Sequence, residues 1–308
     1  MGNALILANP RARTLTLTCI AIALAALIPN RGLGDLLITA LVFAALGAAW
    51  NWLGGFAGEL SFGHGIFCGI GAYGVAISGL RGGSPWFAAV GGGIIAIVVA
   101  LIFGFMVFSL PRAAFWIVTL AVGVAAAPLV LHAFGPLAFT LPDREGFLYL
   151  NFADDRPYVF LALGMFIVVQ LLTVGLERIR AGYFLRALRG NPRAAATLGI
   201  GRRKWVLLPF AVSAFVAAIG GALLALHARS VSIDDCGIFI SLGIAFAGIA
   251  GGRGSLVGPL VGGAIVALIG NTGVPRPIVA VVLAAGIVAA LTAARPRRPA
   301  ASAAAGAA

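Results

Sequence analysis

Few side chains in this 308-residue chain could do chemistry, and three of them stand close together. Glu59, Ser61 and His64 lie in a glycine-rich stretch, Gly54 to Gly65, that interrupts two apolar runs. A break carrying a carboxylate, a hydroxyl and an imidazole could line a translocation path, though no proton relay is evident. Ionisable groups inside apolar segments are rare and tend to be functional, Glu59 above all. A second glycine-rich stretch, Gly248 to Pro259, carries Gly252, Arg253, Gly254 and Ser255. Unwound backbone at membrane depth is tolerated only where protein buries it or water reaches it. Gly58, Glu59, Ser61, Gly63 and His64, with the four residues of the second break, are therefore candidates to line a translocation path. The other reading of the first break puts Glu59 at the inner interface, hydrogen-bonded to backbone amides, with the glycines permitting tight helix crossings. His132 and His227, near the outer ends of apolar runs, read as interfacial.

The residue supply for an enzyme is missing. No HExxH, CxxC, Gly-x-Ser-x-Gly or Gly-x-x-x-x-Gly-Lys-Ser/Thr pattern occurs, and Lys204, the only lysine, follows no phosphate-cradling loop. The sequence thus offers no catalytic set, cofactor site or metal site, and any ATP hydrolysis must come from another subunit. Cys19, Cys68 and Cys236 are odd in number, far apart and in or beside apolar runs. They read as small buried side chains rather than disulfides or metal ligands.

The elements that must position these residues follow from composition. The chain is 61% hydrophobic and 10% charged, with a mean hydropathy of +1.08. A soluble domain needs roughly a quarter of its residues charged, so lipid must be the solvent here. The 43 glycines suit transmembrane helices that pack backbone against backbone. A bilayer core takes about 20 helical residues. Runs of that kind cover 14–29, 34–53, 63–80, 86–110, 114–134, 158–176 and 205–228. Two shorter runs, 237–250 and 256–270, flank the second break, and a last one covers 276–294. The expected fold is an all-α polytopic transmembrane bundle of about ten segments, or eight spans plus a re-entrant pair. The first run resembles a signal peptide, yet Pro29-Asn30-Arg31-Gly32 is a poor cleavage site, so it reads as an uncleaved helix.

Charge orients the bundle. The net charge of +12 suggests nucleic acid only if basic residues interleave with aromatic ones, and they do not. With both termini cytoplasmic, fifteen basic residues fall inside and six outside, while Asp143, Glu145, Asp154 and Asp155 share an outer loop. Residues 1–13 then form a cytoplasmic N-terminus, 14–294 the membrane domain, and 295–308 a disordered cytoplasmic tail. Both breaks contain Gly-x-x-Ser, which hints at two inverted-topology halves.

The longest basic run, Glu177 to Lys204, sits in a cytoplasmic loop. Asn191 is placed as an N-cap and Pro192 as the first helical residue of a short helix, Pro192 to Leu198, stopped by Gly199. Its face is small (Ala194, Ala195, Ala196), as a helix built to sit in a partner's groove requires.

Here the chain resembles a known family. Arg186-Ala187-Leu188-Arg189, then Ala195-Ala196-Thr197-Leu198-Gly199-Ile200, then Ser213 to Leu223, are similar to permease subunits of high-affinity branched-chain amino acid ABC importers. Gly55 to His64 with Gly69 to Tyr73, and Gly251 to Pro259, resemble the family's other two signatures. The resemblance implies a second homologous permease subunit, two cytosolic ATP-binding subunits that bind the ATP, an extracytoplasmic solute-binding protein, and location in the inner membrane. It implies that Arg186, Arg189, Arg193, Ala194, Ala195, Ala196, Leu198, Gly199 and Ile200 make up the ATPase-coupling element. Family members often carry an acidic residue where this chain has Pro192-Arg193. Urea and short-amide importers share the signatures. A gradient-driven carrier or channel is the rival reading, with Glu59 as its only ion site.

Overall fold

The computed structural model describes residues 31–134, 138–141 and 146–293. The expected span 14–29, the loop residues Asp143 and Glu145, and the tail from 295 lie outside the described residues.

Apolar runs of bilayer length become helices because helices alone satisfy their own backbone in lipid. Eleven α-helices are present among the described residues. They are α1 (Arg31–Asn51), α2 (His64–Leu80), α3 (Pro85–Val107), α4 (Arg112–Phe134), α5 (Arg156–Arg178), α6 (Arg180–Gly190), α7 (Pro192–Thr197), α8 (Arg202–Ala228), α9 (Ile238–Ala250), α10 (Gly258–Gly270) and α11 (Arg276–Ala293). A π-helical turn, Trp52–Ala57, continues α1. Among the described residues, five helices are long and apolar enough to cross a membrane: α1 with its π turn, α3, α4, α5 and α8. α2, α9, α10 and α11 are apolar but shorter. At 13 residues each, α9 and α10 reach only about 20 Å, less than the roughly 30 Å of a hydrocarbon core.

The layering follows from side-chain size. α8 occupies the centre, against α1, α2 and α3. There the small residues let main chains meet. A Cβ on Gly71 would collide with the Ala218 carbonyl, and one on Gly221 with the backbone of Cys68. α10 closes on α1 the same way, through Gly263 against Ala40 and Ala44. The outer helices turn large apolar side chains outward, such as Phe87, Ile102 and Met106 on α3 and Ile117 and Leu129 on α4. Water would not tolerate such a surface; lipid does. Cys68 and Cys236 are free and buried, as expected.

At the end opposite the basic run, β1 (Phe139–Thr140) pairs antiparallel with β2 (Ser230–Val231) and ties the α4–α5 loop to the end of α8. His227 Nε2 lies 2.9 Å from Asp35 Oδ1, joining α8 to α1. An interfacial position for His227 agrees with this.

Where backbone touches backbone, one methyl group must push helices apart, and overpacking of this kind costs about 1–3 kcal/mol. Gly71→Ala and Gly221→Ala should each lower the temperature at which detergent-solubilised protein is lost from the monodisperse peak. Gly91→Ala, where a Cβ meets nothing within 4 Å, should leave it unchanged.

Candidate functional site

The two glycine breaks meet at the basic end. α1 ends in the π turn, and Gly58 adopts φ +75°, which closes the turn with its N–H donating to the Leu53 carbonyl. Gly252 and Gly254, at φ +99° and +80°, turn the chain between α9 and α10. Asn51 joins the two: its Oδ1 accepts from Gly254 N at 3.0 Å, and its Nδ2 reaches Ser255 O at 3.5 Å. Ser255 Oγ accepts from Gly258 N at 3.1 Å, at the start of α10.

A helix C-terminus leaves carbonyls unpaired and carries partial negative charge, which cations satisfy best. Three arginines do so here. Arg253 donates from Nε and Nη2 to Gly54 O, at 3.1 and 2.6 Å. Arg189 Nη1 donates to Gly55 O. Arg112 Nη2 donates to Ala57 O at 3.2 Å and also to Leu188 O on α6 at 2.8 Å.

Glu59 neutralises part of this charge. It is fully buried, and Arg202 grips it with two bonds, Nε–Oε1 at 2.7 Å and Nη2–Oε2 at 2.8 Å. Arg112 Nε adds a third at 3.2 Å. Arg202 Nη1 continues to the carbonyls of Phe108 and Leu110. Glu59 therefore sits at the basic end, as the interfacial reading has it, but its partners are guanidinia rather than backbone amides.

Beyond Glu59 the unwound chain runs through the bundle with its polar groups satisfied. Trp50 Nε1 donates to Ser61 O at 2.6 Å, and Phe62 N donates to Thr119 Oγ1 at 3.2 Å. His64 is buried, with Nδ1 3.0 Å from Ser61 Oγ and Nε2 3.0 Å from Ser213 Oγ. A neutral imidazole donates from one nitrogen and accepts at the other, and hydroxyls serve either role. Gly65 N donates to Ser241 Oγ at 2.8 Å. Gly63, the N-cap of α2, lies so near α4 that a Cβ would come within 3.1 Å of Thr119 O. Gly58, Glu59, Ser61, Gly63 and His64 are all buried.

The loop between α5 and α8 folds as two short helices. α6 packs on the π turn of α1 through buried Leu185 and Leu188. Arg186 pairs with Glu177 at 3.0 Å and stacks on Phe56. Asn191 Oδ1 caps α7, accepting from Arg193 N at 3.1 Å and Ala194 N at 3.2 Å. α7 ends at Gly199, φ +76°, where Ile200 N donates to Ala195 O and Gly199 N to Ala196 O. This is the paired closure a left-handed glycine allows. Ala195 is turned into the chain's own core, 3% exposed, whereas Ala194, Ala196 and Arg193 face out and Leu198 is 78% exposed. The small face therefore divides between the fold and the outside.

Sequence reasoning paired neither Arg112 nor Arg202 with Glu59, and it gave no role to the side chains of Asn51, Thr119, Ser213 and Ser241. The signal was present: each of these last four is a polar side chain inside an apolar run, where a partner is required.

Several helices of bilayer length, joined by glycine-broken segments and a helical loop at the basic end, define a multi-pass membrane protein. The chain belongs to the family described as "Branched-chain amino acid transport system / permease component", whose profile matches residues 32–291. It is 28% identical over 254 residues to the high-affinity branched-chain amino acid transport system permease protein LivM of Escherichia coli (strain K12), covering 73% of this chain and 60% of the relative. The LivM protein of Salmonella typhimurium is 27% identical over the same shares. The galactofuranose transporter permease protein YtfT of Escherichia coli is 30% identical over 122 residues, 40% of this chain and 35% of that one. The chain spans about 60% of the length of the LivM relatives it matches. No solved structure matches it. It is an ABC-type permease of this family and not an enzyme.

Removing one partner of a buried ion pair leaves the others uncompensated, at about 3–5 kcal/mol. Glu59→Gln should therefore unfold markedly earlier on heating in detergent. An unchanged melting profile with lost transport would make Glu59 a solute or proton site instead.

Proposed function

We propose that this chain forms half of the translocation pathway of an importer for the branched-chain amino acids leucine, isoleucine and valine. A second homologous permease subunit supplies the other half. Two cytosolic ATP-binding subunits supply the energy, and an extracytoplasmic binding protein delivers the solute. The basic end faces the cytoplasm, with both termini on that side. Ten segments form two halves of inverted topology, each holding one helix–glycine break–helix unit.

The observation that carries this reading is the connection from α7 to the first break. α7 presents Leu198, Ala194 and Ala196 outward on a helix capped at both ends. Asn191 joins it directly to α6, whose Leu188 carbonyl and Arg189 guanidinium are tied to the Arg112–Glu59 pair and to Gly55. A push on α7 by an ATPase reaches the unwound segment through charge-assisted hydrogen bonds, which hold their geometry better than neutral ones. Coupling then means that α7 contacts differ in free energy between the two ATPase states. Of the Pro192-Arg193 departure, Arg193 is exposed, so it changes the surface that α7 offers to the ATPase.

Branched-chain amino acids are favoured as solute by the family profile and the LivM relatives. A gradient-driven carrier is disfavoured, because Glu59, its one candidate ion site, already binds Arg202 and Arg112.

The test is uptake of labelled leucine, urea and a pentose or hexose by vesicles holding the co-purified complex with ATP inside. Leucine uptake that needs ATP and the ATPase subunits is expected, and uptake by this chain alone would refute the reading. Leu198→Asp and Gly199→Pro should cut ATP-driven uptake by about 5- to 150-fold, the span of a coupling free energy of about 1–3 kcal/mol. Membrane insertion should be retained. Ala195→Trp tests folding instead, and should reduce the yield of inserted protein.

A further inference from the structure

A groove of about 560 Å³ opens on the outer surface between the C-terminal end of α5 and the N-terminal end of α8. Leu171, Leu172 and Leu176 form one wall and Leu208 and Val212 the other, with Lys204 and Trp205 at the basic end. Leu171 is 62% and Leu208 69% exposed, so the walls are open to whatever surrounds the chain.

The charges around the groove differ from the rest of the basic run. Arg112 and Arg202 are taken by Glu59, Arg186 by Glu177, Arg189 and Arg253 by carbonyls, and Arg203 by the Phe105 ring and carbonyl. Lys204 is exposed at the groove, and Arg178 and Arg180 flank Ile179, another of its lining residues. None of these three has an acidic partner among the described residues. Trp205 lies between the apolar walls and the cations, its ring edge-on to Phe184 at 4.5 Å. Tryptophan favours this depth, where hydrocarbon gives way to headgroups. Lys204 Nζ lies 5.8 Å from the Trp205 ring centroid, a contact that leaves its charge uncancelled. An apolar channel ending in cations that no carboxylate neutralises matches one kind of molecule, an acyl chain that ends in an anion. Basic pockets between helices at the cytoplasmic side bind lipid headgroups on these terms.

We propose that this groove is a binding site for an anionic phospholipid, with one acyl chain between the leucines of α5 and α8 and the phosphate held by Lys204, Arg178 and Arg180. The cations without acidic partners and the open apolar walls are then two parts of one site. A zwitterionic lipid fills the same channel but brings its own positive charge to the three cations, so it binds more weakly.

Quenching of Trp205 by brominated lipid tests this in the full chain with its co-purified subunits, reconstituted in mixed vesicles. The Trp205 contribution is the difference between wild type and Trp205→Phe. Brominated phosphatidylglycerol should quench it at a lower mole fraction than brominated phosphatidylcholine. Each cation removed should weaken that preference about fivefold, and Arg178→Gln/Arg180→Gln/Lys204→Gln should abolish it. Unchanged size-exclusion behaviour of the triple variant shows that it remains folded. Equal quenching by the two lipids in wild type overturns the proposal, as does a preference that survives in the triple variant. A Trp205 that neither lipid quenches overturns it too, because the groove is then covered by another protein subunit. The vesicles carry each lipid in both leaflets, so the result depends neither on the orientation of the chain nor on its solute.

Discussion

The C-terminus of α1 lies inside the protein, and the rest of the basic end is arranged around that fact. A helix end removed from water needs partners for its last carbonyls. Here the partners are guanidinia from four different places in the chain or are linked to them: Arg112 at the start of α4, Arg189 on α6, Arg253 in the α9–α10 turn, and Arg202 through Glu59. One structural need thus binds five elements together. Glu59 is required because arginines packed this closely repel one another, and a carboxylate between two of them reverses the sign of that interaction.

This junction contrasts with the middle of the same helices. There α1, α2, α8 and α10 meet by shape, with glycine removing the side chain where main chains approach. Such contacts are short-ranged and indifferent to charge, so they give a rigid body. At the basic end the guanidinium bonds to carbonyls are directional and charge-assisted, so position there is set by charge as well as by shape.

Much of this was legible in the sequence. Apolar runs 34–53, 86–110 and 205–228 correspond to α1, α3 and α8 within a few residues, because lipid leaves a run of that length no other structure to adopt. The α7 cap was also readable, since Asn191, Pro192 and Gly199 each have local conformational demands that no distant contact alters. The partners of Glu59 were not readable. Arg112 and Arg202 are 53 and 143 residues away along the chain, and a lone sequence does not say which cation turns inward. The division of α7 into a buried Ala195 and an exposed Leu198 was hidden for the same reason. Three alanines look alike until α6 is packed beneath one of them.

The π turn at Trp52–Ala57 has a further consequence. Its hydrogen bonds reach one residue farther than those of an α-helix, so it carries surplus chain that regular winding would expel. Expelling one residue would rotate everything beyond it by about 100°. Gly54 and Gly55 would then turn their carbonyls away from Arg253 and Arg189, and Gly58 would no longer lie where its left-handed turn is needed. Seated on the Gly54 and Gly55 carbonyls, Arg253 and Arg189 thus hold α1 to this winding.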